Sequence, residues 1–218
     1  MKTTNEIIVL NESTPAIQYL CSKDKRLSKA VSMVGTITYK PYNDRYSFLI
    51  SQIIGQMLRN SVADRIFARL QELCHGEITP AVISSLTDEQ ILSIGTARSK
   101  VNYIRSLTDA VQSGKLNFNE LPEMTDDEVM RKLTSIRGIG NWSAKMYLIF
   151  VLDRKDILPY EDAAFLQSYG WLYKTNDYSS EAVTKRCKKW KPYSSIAARY
   201  MYRALDMGLT KREFHLYK

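Results

Sequence analysis

Cysteine and histidine are scarce in this chain of 218 residues, which has three cysteines, Cys21, Cys74 and Cys187, and two histidines, His75 and His215. The cysteines are odd in number and far apart, which argues against a disulfide framework and is typical of reduced thiols in a cytosolic compartment. A structural zinc site needs a close set of cysteine or histidine ligands, so such a site is not expected either. We expect a protein that needs no cofactor.

Long apolar runs and regular strands are also missing. No run of about 18 apolar residues occurs, so no membrane-spanning helix is predicted. Residues 1–10 lack the apolar stretch and the cleavage site of a secretory signal. Extended backbone is expected at residues 36–39 and in the extended or loosely ordered segment 1–14, where residues 6–10 are the candidate for a short edge strand. Glycine and proline number only nine and six, and apolar residues recur at helical spacing elsewhere. The sequence therefore predicts an all-α protein of about ten helices.

Acidic residues are too few to balance the basic ones, since 23 Asp and Glu oppose 31 Lys and Arg and give a net charge of +8. The excess is concentrated at one end. From residue 170 onward, eleven lysines and arginines stand against four aspartates and glutamates. A concentrated basic face favours a polyanionic partner. A solvated basic helix is the alternative interpretation.

Several helix starts can be identified from their capping residues. Thr14 before Pro15 is typical of an N-cap followed by proline in the first turn. Thr87 with Gln90 forms a capping-box pattern, and residues 125–128 place acidic side chains at the start of another helix. Residues 45–58 are almost entirely apolar, which predicts a helix that is buried on all sides.

A helical hairpin is predicted at residues 129–152, and the rest of the chain is interpreted around it. An apolar helical run over residues 129–136 meets the tight turn Gly138-Ile139-Gly140, and a second helix begins near Asn141 or Trp142. Backbone N–H groups at a helix start have no intrahelical partner, and the helix dipole makes them attract anions. The turn therefore predicts a phosphate site. An ordinary helical hairpin with a glycine cap is the alternative.

The hairpin pattern L-x-x-I-x-G-I-G-x-W-x-A resembles the helix-hairpin-helix of the DNA glycosylase superfamily. Pro159 and Asp162 lie where that superfamily has a proline and its catalytic aspartate. Three further segments, residues 49–58, 86–104 and 190–202, resemble other elements of the same family in the same order. Together they cover roughly residues 44 to 207. The chain thus resembles the 3-methyladenine DNA glycosylase II family, the AlkA type.

The resemblance implies a two-lobed helical fold with the active site in the cleft between the lobes. One lobe would combine residues 1–44 and 158–218, and the other would be residues 45–157, including the hairpin. It also implies an enzyme that acts on double-stranded DNA with alkylated bases. Nothing in the sequence suggests more than a monomer, and no membrane partner is expected. Such an enzyme would work in the cytoplasm, at the nucleoid, of a bacterium or in the nucleus of a eukaryote.

The implied activity is that of a monofunctional glycosylase that hydrolyses the N-glycosidic bond of alkylated purines, mainly 3-methyladenine, with 7-methylguanine as a further candidate, in base excision repair. Two alternatives stay open: a helix-hairpin-helix protein that binds DNA without catalysis, and a glycosylase for another damaged base. Superfamily members that also cut the strand carry a lysine nucleophile where this chain has Trp142. The product is therefore expected to be an intact abasic site.

Asp162 is the expected catalytic residue. Breaking the bond between base and deoxyribose builds positive charge on the sugar, and a carboxylate beside the sugar stabilises that charge and orients water. The other interpretation of Asp162, compatible with the first, is an N-cap for the following helix. Glu161 is the rival carboxylate, and we interpret it as a solvated loop residue.

The base must leave the duplex to be reached, and a cationic base stacks on aromatic faces. Trp142, Tyr160 and Tyr202 are the candidate pocket aromatics, with core or rim packing as the alternative for each. In the family the gap in the stack is filled from the segment that here contains Gln56 and Met57. Met57 is the better candidate for this wedge, and a buried core methionine is the alternative.

Phosphate contacts are expected from Gly138, Gly140 and Ser143 in the hairpin. The same role is assigned to three basic side chains, namely Arg98, Lys100 and Lys145. The resemblance adds a monovalent cation as an option, held by the hairpin carbonyls of Ile136 and Gly138.

One departure from the family is Ser194, which stands where the family usually has an arginine. This replacement predicts the loss of an ion pair or of a backbone contact.

Overall fold

The computed structural model describes residues 6–217 and is mainly helical. Residues 1–5 and 218 lie outside the described residues, so the expectations that include them apply here from residue 6 onward. The described chain forms two short strands and twelve α-helices, against about ten expected: β1 (Ile8–Leu10), α1 (Pro15–Lys23), α2 (Lys25–Val34), β2 (Ile37–Tyr39), α3 (Arg45–Gly55), α4 (Asn60–Leu73), α5 (Pro80–Ser85), α6 (Asp88–Ser93), α7 (Arg98–Gln112), α8 (Asp126–Thr134), α9 (Asn141–Phe150), α10 (Ala163–Tyr173), α11 (Ser180–Cys187) and α12 (Ser194–Asp206).

The chain divides into two compact units. Tyr42–Leu152 forms one of them from a single continuous segment that contains α3 to α9. The other joins the chain up to Pro41 with the chain from Asp153 onward. Within residues 6–217, no helix has the combination of length and apolar character that crossing a membrane requires.

In the discontinuous unit, α12 packs on α1, α2 and α10. The two segments that the sequence predicts to be extended pair as antiparallel strands, with Ile8 opposite Tyr39 and Leu10 opposite Ile37. The predicted N-cap Thr14 lies at the start of α1, but its side chain does not cap the helix. Its hydroxyl oxygen instead accepts the backbone N–H of Asn11, at 3.0 Å.

A buried carboxylate, Asp24, ties the two chain segments of this unit together. It is 2% exposed and caps α2 by accepting two backbone N–H groups. The indole N–H of Trp190 and the ammonium of Lys189 each lie 3.0 Å from its Oδ2, and the Tyr173 hydroxyl donates to the same oxygen. Burial raises the pKa of Asp24, but the hydrogen bonds from Tyr173, Trp190 and Lys189 outweigh that effect and hold the pKa below its usual value.

In the continuous unit, α3 is the buried helix that the sequence predicts, and it packs on α4, α7 and α9. The predicted capping box of Thr87 with Gln90 is confirmed. Residues 125–128 begin a helix with acidic side chains in its first turn, as predicted, and Thr125 and Glu128 also form a capping box there. The predicted helix over residues 45–58 is too long, however, because α3 ends at Gly55. The next residue has extended backbone, with φ −51° and ψ 127°, which cannot continue an α-helix.

Candidate functional site

The hairpin consists of α8, a tight turn and α9, as the sequence predicts. The backbone N–H of Ile139 donates to the carbonyl of Ile136, at 3.0 Å, which closes the turn. Gly138 has φ +95°, a conformation that side chains disfavour. A Cβ at Gly138 would also lie 2.3 Å from the ring of Tyr103. The turn thus needs glycine at this position for two reasons, and the second, the contact with Tyr103, has no signal in the sequence.

Gly140 is the N-cap of α9 and has no side chain with which to cap it. The first intrahelical bond runs from the Ala144 N–H to the Gly140 carbonyl, at 3.1 Å. The backbone N–H groups of residues 141–143 therefore lie at the positive end of the helix without an intrahelical partner. A Cβ at Gly140 would meet no atom within 4 Å, so the turn is open here. Ser143, a predicted phosphate contact, is only 2% exposed and is therefore buried.

The three predicted basic phosphate contacts have different surroundings. Arg98, at the start of α7, is exposed and forms long ion pairs with Asp88 and Glu89, at 3.6 and 3.8 Å. Lys145 is half-buried in α9. Lys100 does not extend freely into solvent, because its ammonium donates to two backbone carbonyls at the end of α3. Burial lowers the pKa of Lys100.

Met57 is completely exposed, with a relative accessibility of 101%. The alternative that it is a core methionine is therefore wrong. Its neighbour Gln56, the second wedge candidate, has another contact: its side-chain amide donates to the Gly138 carbonyl, at 2.7 Å. The sequence gives no indication that these two segments touch.

The same carbonyl of Gly138 is one of the two expected ligands of a monovalent cation. It accepts the Gln56 amide, and the Ile136 carbonyl accepts the Ile139 N–H. Each oxygen keeps a second lone pair, so this donor set is compatible with a hard monovalent cation. Among residues 6–217, histidine, cysteine, aspartate and glutamate side chains form no group of three or more that could hold a metal ion.

Asp162 begins α10 as its N-cap, as expected. Its Oδ1 accepts the Phe165 backbone N–H, at 2.7 Å, and the residue is 7% exposed. The Asp162 backbone N–H in turn donates to the carbonyl of the buried Pro159, at 3.0 Å. The carboxylate is thus held rigidly at the positive end of a helix.

Tyr202, a predicted pocket aromatic on α12, forms a side-chain hydrogen bond with Asp162. Burial and the Asp162 carboxylate raise the pKa of Tyr202 well above its ordinary value, so its hydroxyl stays protonated and acts as the donor.

One helical turn before Tyr202, Arg199 is 8% exposed. Its guanidinium binds Asp153, at 3.1 Å, and lies over the Tyr39 ring, 3.8 Å from the ring centroid. Arg199 is not among the site residues predicted from the sequence, although its i, i+3 spacing from Tyr202 places the two on neighbouring positions of one face.

The loop that leads to Asp162 is anchored to the start of α12. Asp156 accepts both the backbone N–H and the hydroxyl of Ser194, at 3.2 and 2.6 Å. The hydroxyl oxygen of Ser195 accepts the Ile157 N–H, at 2.8 Å. Ser194, expected to mark a lost contact, therefore supplies two hydrogen bonds. The anchor restricts the backbone a few residues before Asp162.

The remaining candidates lie at partly covered positions. Tyr160 is half-buried, packs against the core of its unit and forms a hydrogen bond with Glu161. The Glu161 carboxylate and burial raise the pKa of Tyr160. Glu161 itself is exposed, in line with its interpretation as a solvated loop residue. Trp142 is half-buried as the second residue of α9.

Comparison with known proteins agrees with these features. The model of one family, described as HhH-GPD superfamily base excision DNA repair protein, matches residues 50–192. DNA-3-methyladenine glycosylase 1 of Schizosaccharomyces pombe is 28% identical over 209 residues, which cover 92% of this chain and 91% of the relative. The alkylbase DNA glycosidase-like protein mag2 of the same organism is 28% identical over 197 residues, 86% of this chain and 91% of the relative.

Two solved structures have similar folds. One is the DNA-3-methyladenine glycosidase of Bacillus halodurans, with a TM-score of 0.82, 27% identity and coverage of 96% of this chain and 97% of the other. The other is the S. pombe 3-methyladenine DNA glycosylase in complex with abasic DNA, with a TM-score of 0.80, 26% identity and coverage of 94% and 100%. Because the family model spans well over half of the sequence and includes the hairpin, this chain belongs to the HhH-GPD superfamily of base excision DNA repair proteins.

Proposed function

We propose that this protein is a monofunctional DNA glycosylase that hydrolyses the N-glycosidic bond of alkylated purines, with 3-methyladenine as the main substrate and 7-methylguanine as a further one. Family membership and the names of the similar proteins support a glycosylase of this type. The observation that carries the assignment in this chain is Asp162, a nearly buried carboxylate that a helix N-terminus and a tyrosine hydroxyl hold in place.

In the proposed mechanism Asp162 stabilises the positive charge that develops on the sugar as the bond breaks, and it orients the attacking water. The Phe165 N–H fixes one of its oxygens, and the Tyr202 hydroxyl donates to the carboxylate. These contacts set the carboxylate in one orientation before the reaction, which reduces the reorganisation that the transition state requires. An alkylated purine is already cationic and leaves readily, so one carboxylate suffices without a strong general acid.

DNA binding in this proposal rests on the hairpin. Its uncapped N–H groups at the start of α9 and the open space beside Gly140 suit a phosphate of duplex DNA. Arg98 and Lys145 add positive charge, and a monovalent cation on the carbonyls of Ile136 and Gly138 is part of the same proposal. Trp142, Tyr160 and Tyr202 remain the predicted walls for the flipped base. We propose a monomer that acts on DNA, at the bacterial nucleoid or in the eukaryotic nucleus.

The test measures release of free base from methylated duplex DNA under single-turnover conditions. Asp162→Asn should abolish release while it keeps the fold and DNA binding, because asparagine also serves well as an N-cap. The neighbouring variant Glu161→Gln is the matched control and should release base at the wild-type rate. Equal release by Asp162→Asn and wild type would disprove the assigned role of Asp162.

Two other outcomes identify the alternatives. Tight DNA binding by the wild type without release of any base from a panel of duplexes, each with one defined lesion, would identify a non-catalytic DNA-binding protein. Release of a non-alkylated damaged base alone would identify a glycosylase of another specificity.

A further inference from the structure

The exposed residue Met57 lies in a turn that is unusual for its side chain. Gln56 has φ −51° and ψ 127°, Met57 has φ +60°, and the Leu58 N–H donates to the Gly55 carbonyl, at 3.0 Å. This is a type II β-turn, which favours glycine or asparagine at the position that Met57 occupies. We call Gly55–Leu58 the wedge turn. A strained residue of this kind persists only where its surroundings enforce it.

Lys100 supplies the first of these constraints. Its ammonium donates to the carbonyl of Ile54, at 2.6 Å, and to the carbonyl of Gln56, at 2.8 Å. These two oxygens lie on either side of Gly55, at the point where α3 gives way to the wedge turn. Two of the three N–H groups of the ammonium are therefore used in holding the backbone that enters the turn.

Gln56 supplies the second constraint and connects the wedge turn to the hairpin. Its amide donates to the Gly138 carbonyl, at 2.7 Å. Tyr103, three residues after Lys100 on α7, packs so closely on Gly138 that a Cβ there would lie 2.3 Å from its ring. Adjacent turns of α7 thus contact the wedge turn and the hairpin turn, and the Gln56 amide joins the two turns directly.

We propose that Lys100 is a positioning residue: through the wedge turn and Gln56 it fixes Met57 relative to the phosphate-binding hairpin. When the hairpin binds a phosphate of the DNA, Met57 is thereby placed at a defined position in the duplex. This inference rests on the proposed function, in which Met57 fills the gap that the flipped base leaves. It assigns Lys100 a role that differs from the phosphate contact predicted from sequence.

Salt dependence separates the two roles of Lys100. The variant Lys100→Met keeps the aliphatic stem but loses the ammonium. A phosphate contact releases a counterion, so its loss reduces the slope of log K against log salt concentration by about one. A positioning residue leaves that slope unchanged. We expect an unchanged slope for undamaged duplex, together with at least a tenfold loss of base opening, measured as the fluorescence of 2-aminopurine placed beside the lesion.

A mutant cycle tests whether Lys100 acts through Met57. We expect Met57→Ala to reduce base opening. The double variant Met57→Ala with Lys100→Met should reduce base opening no further than Met57→Ala alone. Lys115→Met, which removes an exposed lysine after α7, is the matched control and should open DNA as the wild type does. Losses that multiply in the double variant, or a salt slope reduced by about one, would overturn the proposal.

A second variant keeps the test decisive if Lys100→Met does not fold. Gln56→Glu is isosteric but cannot donate to the Gly138 carbonyl, and Gln56 is only half-buried. It should also lose base opening with an unchanged salt slope for undamaged DNA, and wild-type opening by Gln56→Glu would again overturn the proposal. The fluorescence signal reports opening without base release. A wild type that opens DNA but releases no base therefore fails the proposed function and leaves this inference standing.

Discussion

The hydroxyl of Tyr202 donates a hydrogen bond to the carboxylate of Asp162. The sequence places Tyr202 at the position of a pocket aromatic, which involves only the face of its ring. The hydroxyl adds a second contact that holds the carboxylate from α12, while the Phe165 N–H holds it from α10. The orientation of Asp162 thus depends on two helices that are distant in sequence.

Removal of this hydroxyl gives the first prediction. Tyr202→Phe keeps the ring and should lower the single-turnover rate of base release by about 10- to 100-fold, because a hydrogen bond to a charged group contributes roughly 1.5–3 kcal/mol. DNA affinity should change little. Tyr200→Phe is the control on the same helix, since the Tyr200 hydroxyl binds the carbonyl of Leu10, at 3.3 Å, away from Asp162. An equal effect of both variants would show that the loss is structural.

The two hairpin glycines should respond differently to substitution. Gly138→Ala places a Cβ against the Tyr103 ring and forces alanine into a left-handed conformation, so it should destabilise the fold by about 2 kcal/mol or more in chemical unfolding. Gly140→Asp meets no atom and has an ordinary φ of −94°, so stability should stay near that of the wild type.

The Gly140→Asp variant should nevertheless bind all DNA sequences more weakly, since its carboxylate faces the expected phosphate. The measurement is the affinity for damaged and undamaged duplex at one salt concentration. Wild-type affinity for both duplexes would show that the hairpin is not the phosphate anchor.

Asp24 predicts a dependence of stability on pH. Its pKa is lower in the folded protein than in the unfolded chain, so its contribution is complete above the unfolded pKa of about 3.9 and is lost as the pH falls through the folded pKa. Asp24→Asn should destabilise the protein by about 2 kcal/mol at neutral pH. The difference in free energy of unfolding between this variant and the wild type should shrink as the pH falls below the unfolded pKa of about 3.9. Asp177→Asn, at a fully exposed aspartate, is the control and should lower the free energy of unfolding much less at neutral pH. If the difference in free energy of unfolding between Asp24→Asn and the wild type did not change with pH, this account would be contradicted.

The last prediction concerns the reaction type. The residue directly after Asn141 is Trp142 and not a lysine, and Lys145 is half-buried about one turn further along α9. The enzyme should therefore leave an intact abasic site, and strand breaks should appear only after alkali or heat. Borohydride added during the reaction should trap no covalent complex of protein and DNA. A trapped complex that is missing with Lys145→Ala would instead identify a lyase that acts through a Schiff base.

Much of the fold could be predicted because local signals determine it. The capping boxes at Thr87 and Thr125, the buried helix α3 and the glycine turn of the hairpin are all set by residues close together in sequence. The end of α3 could not be predicted, because Met57 adopts a left-handed conformation that no local preference favours. The contacts in this region are made by the residues before Met57: Lys100 of α7 binds the carbonyls of Ile54 and Gln56, and the Gln56 amide binds the Gly138 carbonyl of the hairpin.

The other features of the site that could not be predicted are contacts between segments that are distant in sequence. The bond between Gln56 and Gly138 spans 82 residues, and each of these positions on its own fits a simpler role. Lys100 resembles any basic residue near a glycine loop until its two carbonyl partners are known. Arg199 was missed because an arginine in an apolar helix gives no sign of the carboxylate and ring that surround it.

The discontinuity of one unit has a consequence for protein synthesis. All of Tyr42–Leu152 emerges from the ribosome as one stretch and can form its core at once. Asp24 is synthesised early, yet Tyr173, Lys189 and Trp190 follow roughly 150 residues later. At about 5–20 residues per second, the N-terminal helices wait on the order of ten seconds for the partners that cover them. During that interval their apolar faces are exposed, which makes them natural targets for chaperones that bind nascent chains.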